Sequence, residues 1–176
     1  MVESLIPVAP GLETPLEMLE ACHERVEAQL QTLGRLAVWL PGHGADEQAR
    51  KAAVNVMRYF DVAAVNHHMD EEEDLIPVLR KRATGAQAAE VLPLLDWVLE
   101  DHQLLFGAWS RMRQKLERIA RGEAVSLRAA EVEGFASAYR QHIAREEAEL
   151  IPWARRLLGE EDIARMSATM IARRRD

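Results

Sequence analysis

Several features that assign proteins to a class are scarce in this chain. Its 176 residues include one cysteine, Cys22, so an internal disulfide is excluded and a reducing compartment is favoured. No apolar stretch is long enough to span a membrane, and the first residues lack the positive charge of a signal peptide. The sequence therefore predicts a cytoplasmic protein with no membrane partner.

Positive charge is in deficit as well. The chain carries 22 basic against 29 acidic side chains, which gives a net charge of −7. Proteins that bind DNA or RNA usually present a basic surface to the phosphates, so nucleic acid is excluded as a partner. The run of arginines at 173–175 is basic, but such a short run is interpreted as a solubilising, solvent-exposed tail.

Strand alternation is also missing, and the apolar residues instead follow the period of a helix. Thr14-Pro15-Leu16-Glu17 is a capping-box pattern that predicts the start of a first helix, and Pro41-Gly42-His43-Gly44 predicts its end. Further helices are predicted from about Asp46 to Arg82, from the Thr84-Gly85 turn to about Arg121, from Ser126 as N-cap to Leu158, and from Glu161 to about Ala172.

Four long helices with short connections predict an all-α fold, namely an antiparallel up-down four-helix bundle with a short C-terminal helical extension. The expected divisions are an N-terminal extension at 1–13, the bundle at 14–158 and a helical tail at 159–176. Pro93 either kinks the third helix or marks its true start. Pro77 and Pro152 each remove a helical hydrogen bond, and they predict paired kinks near one end of the bundle.

Two segments of the predicted second and fourth helices repeat each other. HHMDEEEDLIP at 67–77 matches HIAREEAELIP at 142–152 at a constant offset of 75 residues. The shared residues are His67/His142, Glu71/Glu146, Glu72/Glu147, both Leu-Ile-Pro ends, and Phe60/Phe135 seven residues before each histidine. One H-x3-E-E pattern is a weak signal, but two copies with the same flanking residues are a strong one.

The shared positions lie on one face of each helix. Residues seven before and four after a given position share its face, so Phe60, His67 and Glu71 point the same way, as do their counterparts in the second copy. An aromatic side chain on that face predicts that it lies in the core. A buried carboxylate must be paired or must coordinate a metal, because an isolated buried charge is very costly.

The predicted first and third helices each add one histidine within an apolar stripe, His23 and His102. The chain thus reads as a duplicated helix pair, which would direct four imidazoles and two carboxylates at one central volume. This donor set predicts a binuclear site that suits iron or manganese better than structural zinc. The candidate ligands are His23, His67, Glu71, His102, His142 and Glu146.

These residues, with both Leu-Ile-Pro ends, resemble the hemerythrin-like, HHE cation-binding domain family from about Thr14 to Leu158. The resemblance implies two non-haem iron ions inside a four-helix bundle, with Glu71 and Glu146 bridging them. The two carboxylates and an oxo or hydroxo bridge would offset the charge of the two irons. Reactions with dioxygen, nitric oxide or peroxide at an open iron position are the chemistry that the resemblance implies.

The chain departs from the oxygen-carrying hemerythrins at one position. They place a second histidine one turn after the third-helix ligand, where this chain has Phe106. His68 is an additional candidate ligand, although it lies about 100° around the helix from His67. A hydrogen-bonding role behind the ligands is the alternative for His68. Reversible oxygen carriage is therefore disfavoured.

Other interpretations of these residues are weaker. The alternative to a metal site is a set of hydrogen-bonded core histidines and solvated glutamates. Glu72 and Glu147 are rotated off the shared face and are predicted to act behind the ligands or at the surface, while Asp70, Glu73 and Asp74 are predicted to form a solvated face. The Glu-x-x-His pairs of ferritin-like bundles and the H-E-x-x-H motif of zinc proteases do not fit the spacing.

The leading functional hypothesis is a non-haem di-iron protein that binds or senses oxygen or nitric oxide, or handles iron. Its expected partner is a diatomic ligand, and the sequence identifies no protein partner. The alternative is a di-iron oxidoreductase, acting as an oxidase, a peroxidase or a nitric oxide-consuming enzyme. Few further acid–base groups are evident, so binding or sensing is favoured over catalysis, and enzyme activity stays an open question. A structural module with a vestigial site is the third hypothesis.

Overall fold

The computed structural model describes residue 11 and residues 13–175, and this part of the chain is helical apart from short connections. It contains five continuous helices and no strand, which confirms the predicted all-α fold. The helices are α1 (Pro15–His43), α2 (residues 47–82), α3 (Ala86–Ala120), α4 (residues 129–157) and α5 (Glu160–Arg173). Most of the predicted N-terminal extension lies outside the described residues, and the division into 1–13, 14–158 and 159–176 stays a prediction.

Local hydrogen bonds explain most of the helix ends. The Asp46 carboxylate accepts a 2.8 Å hydrogen bond from the Ala49 N–H and caps α2. Gly44, with a φ of 64°, ends α1 in a conformation that favours glycine. The prediction of Ser126 as an N-cap is wrong. α4 begins three residues later, at Ala129, where the Glu131 carboxylate accepts from the Arg128 N–H at 3.1 Å.

Three wider, π-helical turns interrupt the long helices, at Tyr59–Ala63 and Asp70–Leu75 in α2 and at Glu146–Leu150 in α4. The Ile76 N–H bonds to the Glu71 carbonyl, and the Ile151 N–H bonds to the Glu146 carbonyl. The next residue in each case is a proline, which has no N–H to donate. The sequence predicted paired kinks at these prolines, which stays a prediction, and the wider turns end two residues before each proline.

Packing joins the helices in a closed order around two apolar clusters. α1 contacts α2 and α4, α3 contacts the same two helices, and α5 packs on α1 and on the Asp70–Leu75 turn. One cluster includes Phe60, Trp109 and Phe135. The other includes Leu19 with the Leu-Ile pairs Leu75-Ile76 and Leu150-Ile151. Between them lies a buried polar layer. Among the described residues no helix is both long and apolar enough to cross a membrane.

Candidate metal centre

Six buried polar side chains meet between the two apolar clusters, and they are the six predicted ligands. Each exposes at most 3% of its surface. α1 supplies His23, α2 supplies His67 and Glu71, α3 supplies His102, and α4 supplies His142 and Glu146. The helical period places them there, since each follows or precedes core residues of its own helix by three or four positions. The structure therefore brings together all six predicted side chains.

The possible ligand atoms fall into two neighbouring groups. His23, His67, Glu71 and Glu146 form one group, and His68, His102 and His142 form the other, with the atoms of each group within 4.8 Å of one another. His68 was an additional candidate, and its half-buried ring stacks on His102 with 4.0 Å between the ring centroids. Phe106, which stands where oxygen carriers have a histidine, points to solvent with 65% of its surface exposed.

The two glutamates lie between these groups. Glu146 Oε2 is 3.2 Å from His23 Nε2, whereas its Oε1 is 2.8 Å from His142 Nε2 and 3.6 Å from His102 Nε2. Glu71 Oε2 is 3.6 Å from His67 Nε2 and 3.4 Å from His102 Nε2. Each carboxylate therefore approaches imidazoles of both groups, as a ligand shared by two ions would.

The hydrogen bonding of this layer is incomplete in a way that fits a metal. Despite the short distances, four imidazole nitrogens and all four carboxylate oxygens of Glu71 and Glu146 lack a partner with hydrogen-bond geometry. Buried polar groups are nearly always satisfied, and an unsatisfied buried charge is expensive. Imidazole nitrogen and carboxylate oxygen are donors that suit iron and manganese. The residues present therefore fit metal cations bound among them.

A second set of carboxylates holds three of the histidines from behind. The Nδ1 atoms of His23, His102 and His142 bond to Glu147 at 3.0 Å, Glu72 at 2.7 Å and Asp101 at 2.9 Å. An Nδ1–H that donates to a carboxylate leaves the Nε2 lone pair free to face the centre. This geometry assigns the two glutamates the role behind the ligands that was one of their predicted alternatives.

Asp101 was missed in the sequence, because it lies on α3 and serves His142 on α4. His102, the next residue on α3, bonds instead to the Glu72 carboxylate of α2. Only the packing of the helices pairs Asp101 with its histidine, and no spacing within one helix signals such a contact.

Among the described residues His67 Nδ1 has no hydrogen-bond partner.

Burial and charge set the protonation of the centre. Burial lowers the pKa of an imidazole, but contacts with Glu146 outweigh it and raise the pKa of His23 to about 9 and that of His102 to about 10. Burial, with the charge of His102, lowers the pKa of His68 to about 3. Burial and the charge of Glu146 raise the pKa of Glu71. Metal cations that bind here must therefore displace protons from two histidines.

The acidic face beside the centre differs from its prediction. Asp70 was expected in solvent, but it is fully buried and pairs with Arg173 and Arg174 of the predicted solubilising tail. Glu73 is exposed as expected. Asp74 is also largely covered, since its side chain is 11% exposed and pairs with Arg173. The prediction is wrong for Asp70, for Asp74 and for two of the three arginines, because α5 folds back onto α2 and covers these carboxylates.

Comparisons with known proteins agree with this geometry. Residues 14–154 match the family model described as the hemerythrin HHE cation binding domain. A protein of Haemophilus influenzae, described as uncharacterized, is 31% identical over 160 residues, which cover 91% of this chain and 90% of that protein. Members of the HHE family bind metal cations, typically iron, and this chain has a His/Glu cluster that can hold such ions. The chain belongs to the hemerythrin HHE cation-binding domain family.

Proposed function

We propose that this protein is a non-haem di-iron protein that binds or senses oxygen or nitric oxide, or handles iron, in the cytoplasm. The observation that carries the proposal is the pair of adjacent donor groups with a carboxylate reaching into both. A structural module would need no buried carboxylate without a hydrogen-bond partner, and replacing such groups by apolar residues would stabilise it.

The proposed ligands divide between two ions. His23 and His67 bind one iron, and His68, His102 and His142 bind the other. Glu71 and Glu146 bridge the two. Support for this division comes from the approach of opposite Glu146 oxygens to His23 and His142 at 3.2 and 2.8 Å. His68 is assigned to the second ion because its ring stacks on His102 and its ligand atom lies within 4.8 Å of those of His102 and His142.

The proposal includes the antiparallel up-down arrangement of the four long helices. On α1, residues of the Leu19 cluster precede residues of the Phe60 cluster, and on α2 the order is reversed. The order alternates again on α3 and α4. Helices that run alternately up and down between two layers produce this pattern.

Bound iron supplies an open coordination position and one-electron redox chemistry for a diatomic ligand. The carboxylates behind the proposed ligands, Glu72, Asp101 and Glu147, are each bonded to an imidazole Nδ1. A group so engaged orients its histidine and is poorly placed to carry protons to a reacting ligand. This favours binding or sensing over the oxidoreductase alternative.

The test is the iron content of protein expressed with added iron, for the wild type and two glutamate variants. Glu146→Ala removes a proposed bridge, and Glu149→Ala is the matched control, since its side chain is 49% exposed on the same helix. We expect about two irons per chain in wild type and control, and loss of iron from Glu146→Ala. A folded wild type that is metal-free, or that holds one zinc, would overturn the proposal.

Titration of the iron-loaded protein separates the proposed activities. A spectral change that is complete at a stoichiometric amount of oxygen or nitric oxide, without catalytic turnover of the ligand, is the expected result. Catalytic consumption of oxygen, peroxide or nitric oxide would favour the oxidoreductase alternative instead.

A further inference from the structure

The C-terminal helix covers one side of the centre through two arginines. The Arg173 guanidinium donates to Asp70, to Asp74 at 2.9 Å and to Glu73 at 3.0 Å. Arg174 donates to the two oxygens of Asp70 at 3.1 and 2.5 Å. Asp70 is fully buried, and these arginines follow it by more than 100 residues in the chain. The burial of Asp70 therefore depends on α5.

These ion pairs adjoin a proposed bridging ligand. Asp70 directly precedes Glu71 in the π-helical turn Asp70–Leu75, and α5 packs on that turn. A buried carboxylate is stable only while its partner stays, so removal of the arginines must rehydrate this part of the turn. The last turn of α5 therefore covers Asp70, the residue next to Glu71.

The other half of the centre is closed differently. The residue that corresponds to Asp70 in the second copy is Arg145, whose guanidinium lies 4.1 Å from the Trp97 ring centroid. Trp97 in turn lies beside His142, with 5.6 Å between the ring centroids. This cover belongs to α3 and α4, which also supply ligands. Among the residues that the structure describes, the Glu71 side alone is covered by a helix that contributes no donor.

The attachment of α5 is limited. Asp162 near its start pairs with Arg82 of α2 at 2.9 Å, and Met166 and Met170 are buried against the Leu19 cluster. Two sets of ion pairs, two buried methionines and the partly buried Ile163 hold it, whereas each long helix is buried along its length. Segments with few buried apolar contacts open locally at lower free energy than the core.

We propose that α5 is a strap that gates metal exchange: detachment of Arg173 and Arg174 from Asp70 opens the Glu71 side and sets the rates at which iron enters and leaves. This inference rests on the proposed di-iron function. Because α5 supplies no donor, its detachment accelerates entry and exit by the same factor and leaves the equilibrium affinity unchanged.

Cys22 provides a natural reporter of the strap. It is the only cysteine, exposes 5% of its surface, and lies on α1, against which α5 packs. A disulfide reagent such as Ellman's reagent should therefore reach Cys22 mainly when the end of α5 detaches. This measurement needs no iron.

The experiment compares wild type with the double variant Arg173→Gln/Arg174→Gln and with Arg175→Gln. Arg175 is the matched control, because it is the next residue and its side chain is exposed. Uptake of ferrous iron and its release to a chelator are measured anaerobically, and Cys22 labelling is measured without metal. In the double variant we expect uptake, release and labelling each to accelerate by about tenfold or more, with iron affinity unchanged within about twofold. Arg175→Gln should match wild type.

Asp162→Asn frees the other end of α5 and keeps the test decisive if the double variant does not fold. It should accelerate the same three rates to a smaller degree. If the double variant binds iron more weakly but takes it up at the wild-type rate, the gating role of α5 is wrong, because the arginines then act by positioning Glu71. Unchanged rates in both variants would also overturn it. If Cys22 is labelled faster in the double variant but wild type binds no iron, α5 does detach, and both metal exchange through it and the proposed function are rejected.

Discussion

At the scale of single residues, the centre is built from imidazoles, most of which a carboxylate holds from behind. In three of them Nδ1 bonds to a carboxylate and Nε2 faces the other donors. The carboxylate fixes the tautomer and the ring orientation and makes the free nitrogen a stronger donor. The residues behind the ligands should therefore matter for metal affinity almost as much as the ligands themselves.

Asp101→Asn tests this. The amide keeps the size of the side chain but removes the charge behind His142, so iron affinity should fall by about 10–100-fold. Asp96→Asn is the control, because Asp96 lies on the same helix but pairs with Arg80 at the surface. Competition with a chelator of known affinity measures both. Equal affinity in the two variants would contradict the role of Asp101.

His68→Asn tests the added ligand. Since His68 is the only donor that α2 offers to the second group apart from the shared Glu71, we expect iron content to fall from about two to about one per chain. His43→Asn, at an exposed position stacked on Trp39, is the control. Elemental analysis of both variants gives the answer, and two irons in His68→Asn would show that His68 is not a ligand.

At the scale of elements, the π-helical turns are what place the glutamates. Glu71 and Glu146 each lie at the start of such a turn, and each turn ends one residue before an Ile-Pro pair. A proline one turn later cannot continue the regular hydrogen-bond pattern, which favours the wider turn. Wider turns of this kind are frequent at functional sites.

Pro77→Ala should restore the missing N–H and allow a regular helix. The metal-free protein should gain about 1–3 kcal/mol in free energy of unfolding, while iron binding weakens by roughly tenfold because Glu71 shifts. Pro93→Ala, at an exposed position in α3, should gain stability without loss of affinity. Denaturant unfolding and chelator competition measure the two effects. Unchanged iron affinity in Pro77→Ala would contradict a placing role for the turn.

The sequence predicted the helices and the buried donors well because both follow a period within one helix. Phe60, His67 and Glu71 share a face whatever the neighbouring helices do. Two of the missed contacts join distant segments of the chain. Asp70 is buried only because Arg173 folds onto it, and Asp101 meets His142 only across two helices. The π turns required the hydrogen-bond pattern itself, of which the prolines indicate only the location.

At the scale of the whole molecule, the polar layer divides the apolar core into two clusters. Without metal, the layer is held by ion pairs between Glu146 and the histidines whose pKa values are raised to about 9 and about 10. A raised histidine pKa stabilises the folded state fully below the unfolded value of about 6.5 and loses that effect as pH rises through the folded pKa. The metal-free protein should therefore weaken above neutral pH.

Thermal unfolding of metal-free and iron-loaded protein between pH 6.5 and 9.5 tests this. The midpoint of the metal-free form should fall across the window. Free iron at 100 times its dissociation constant adds about 2.7 kcal/mol to the free energy of unfolding. At a fixed concentration of iron the gain is larger at high pH, because fewer protons compete for the histidines. The gain from iron should therefore be larger at pH 9 than at pH 6.5. A gain that shrinks as pH rises would contradict the proton competition at His23 and His102.

If two metal ions share one set of donors, anomalous diffraction at the iron absorption edge will locate both of them. Crystals of iron-loaded protein should show two peaks about 3.5–4 Å apart. One should lie among His23, His67, Glu71 and Glu146, and the other among His68, His102 and His142. A single peak, or peaks outside these side chains, would contradict the account.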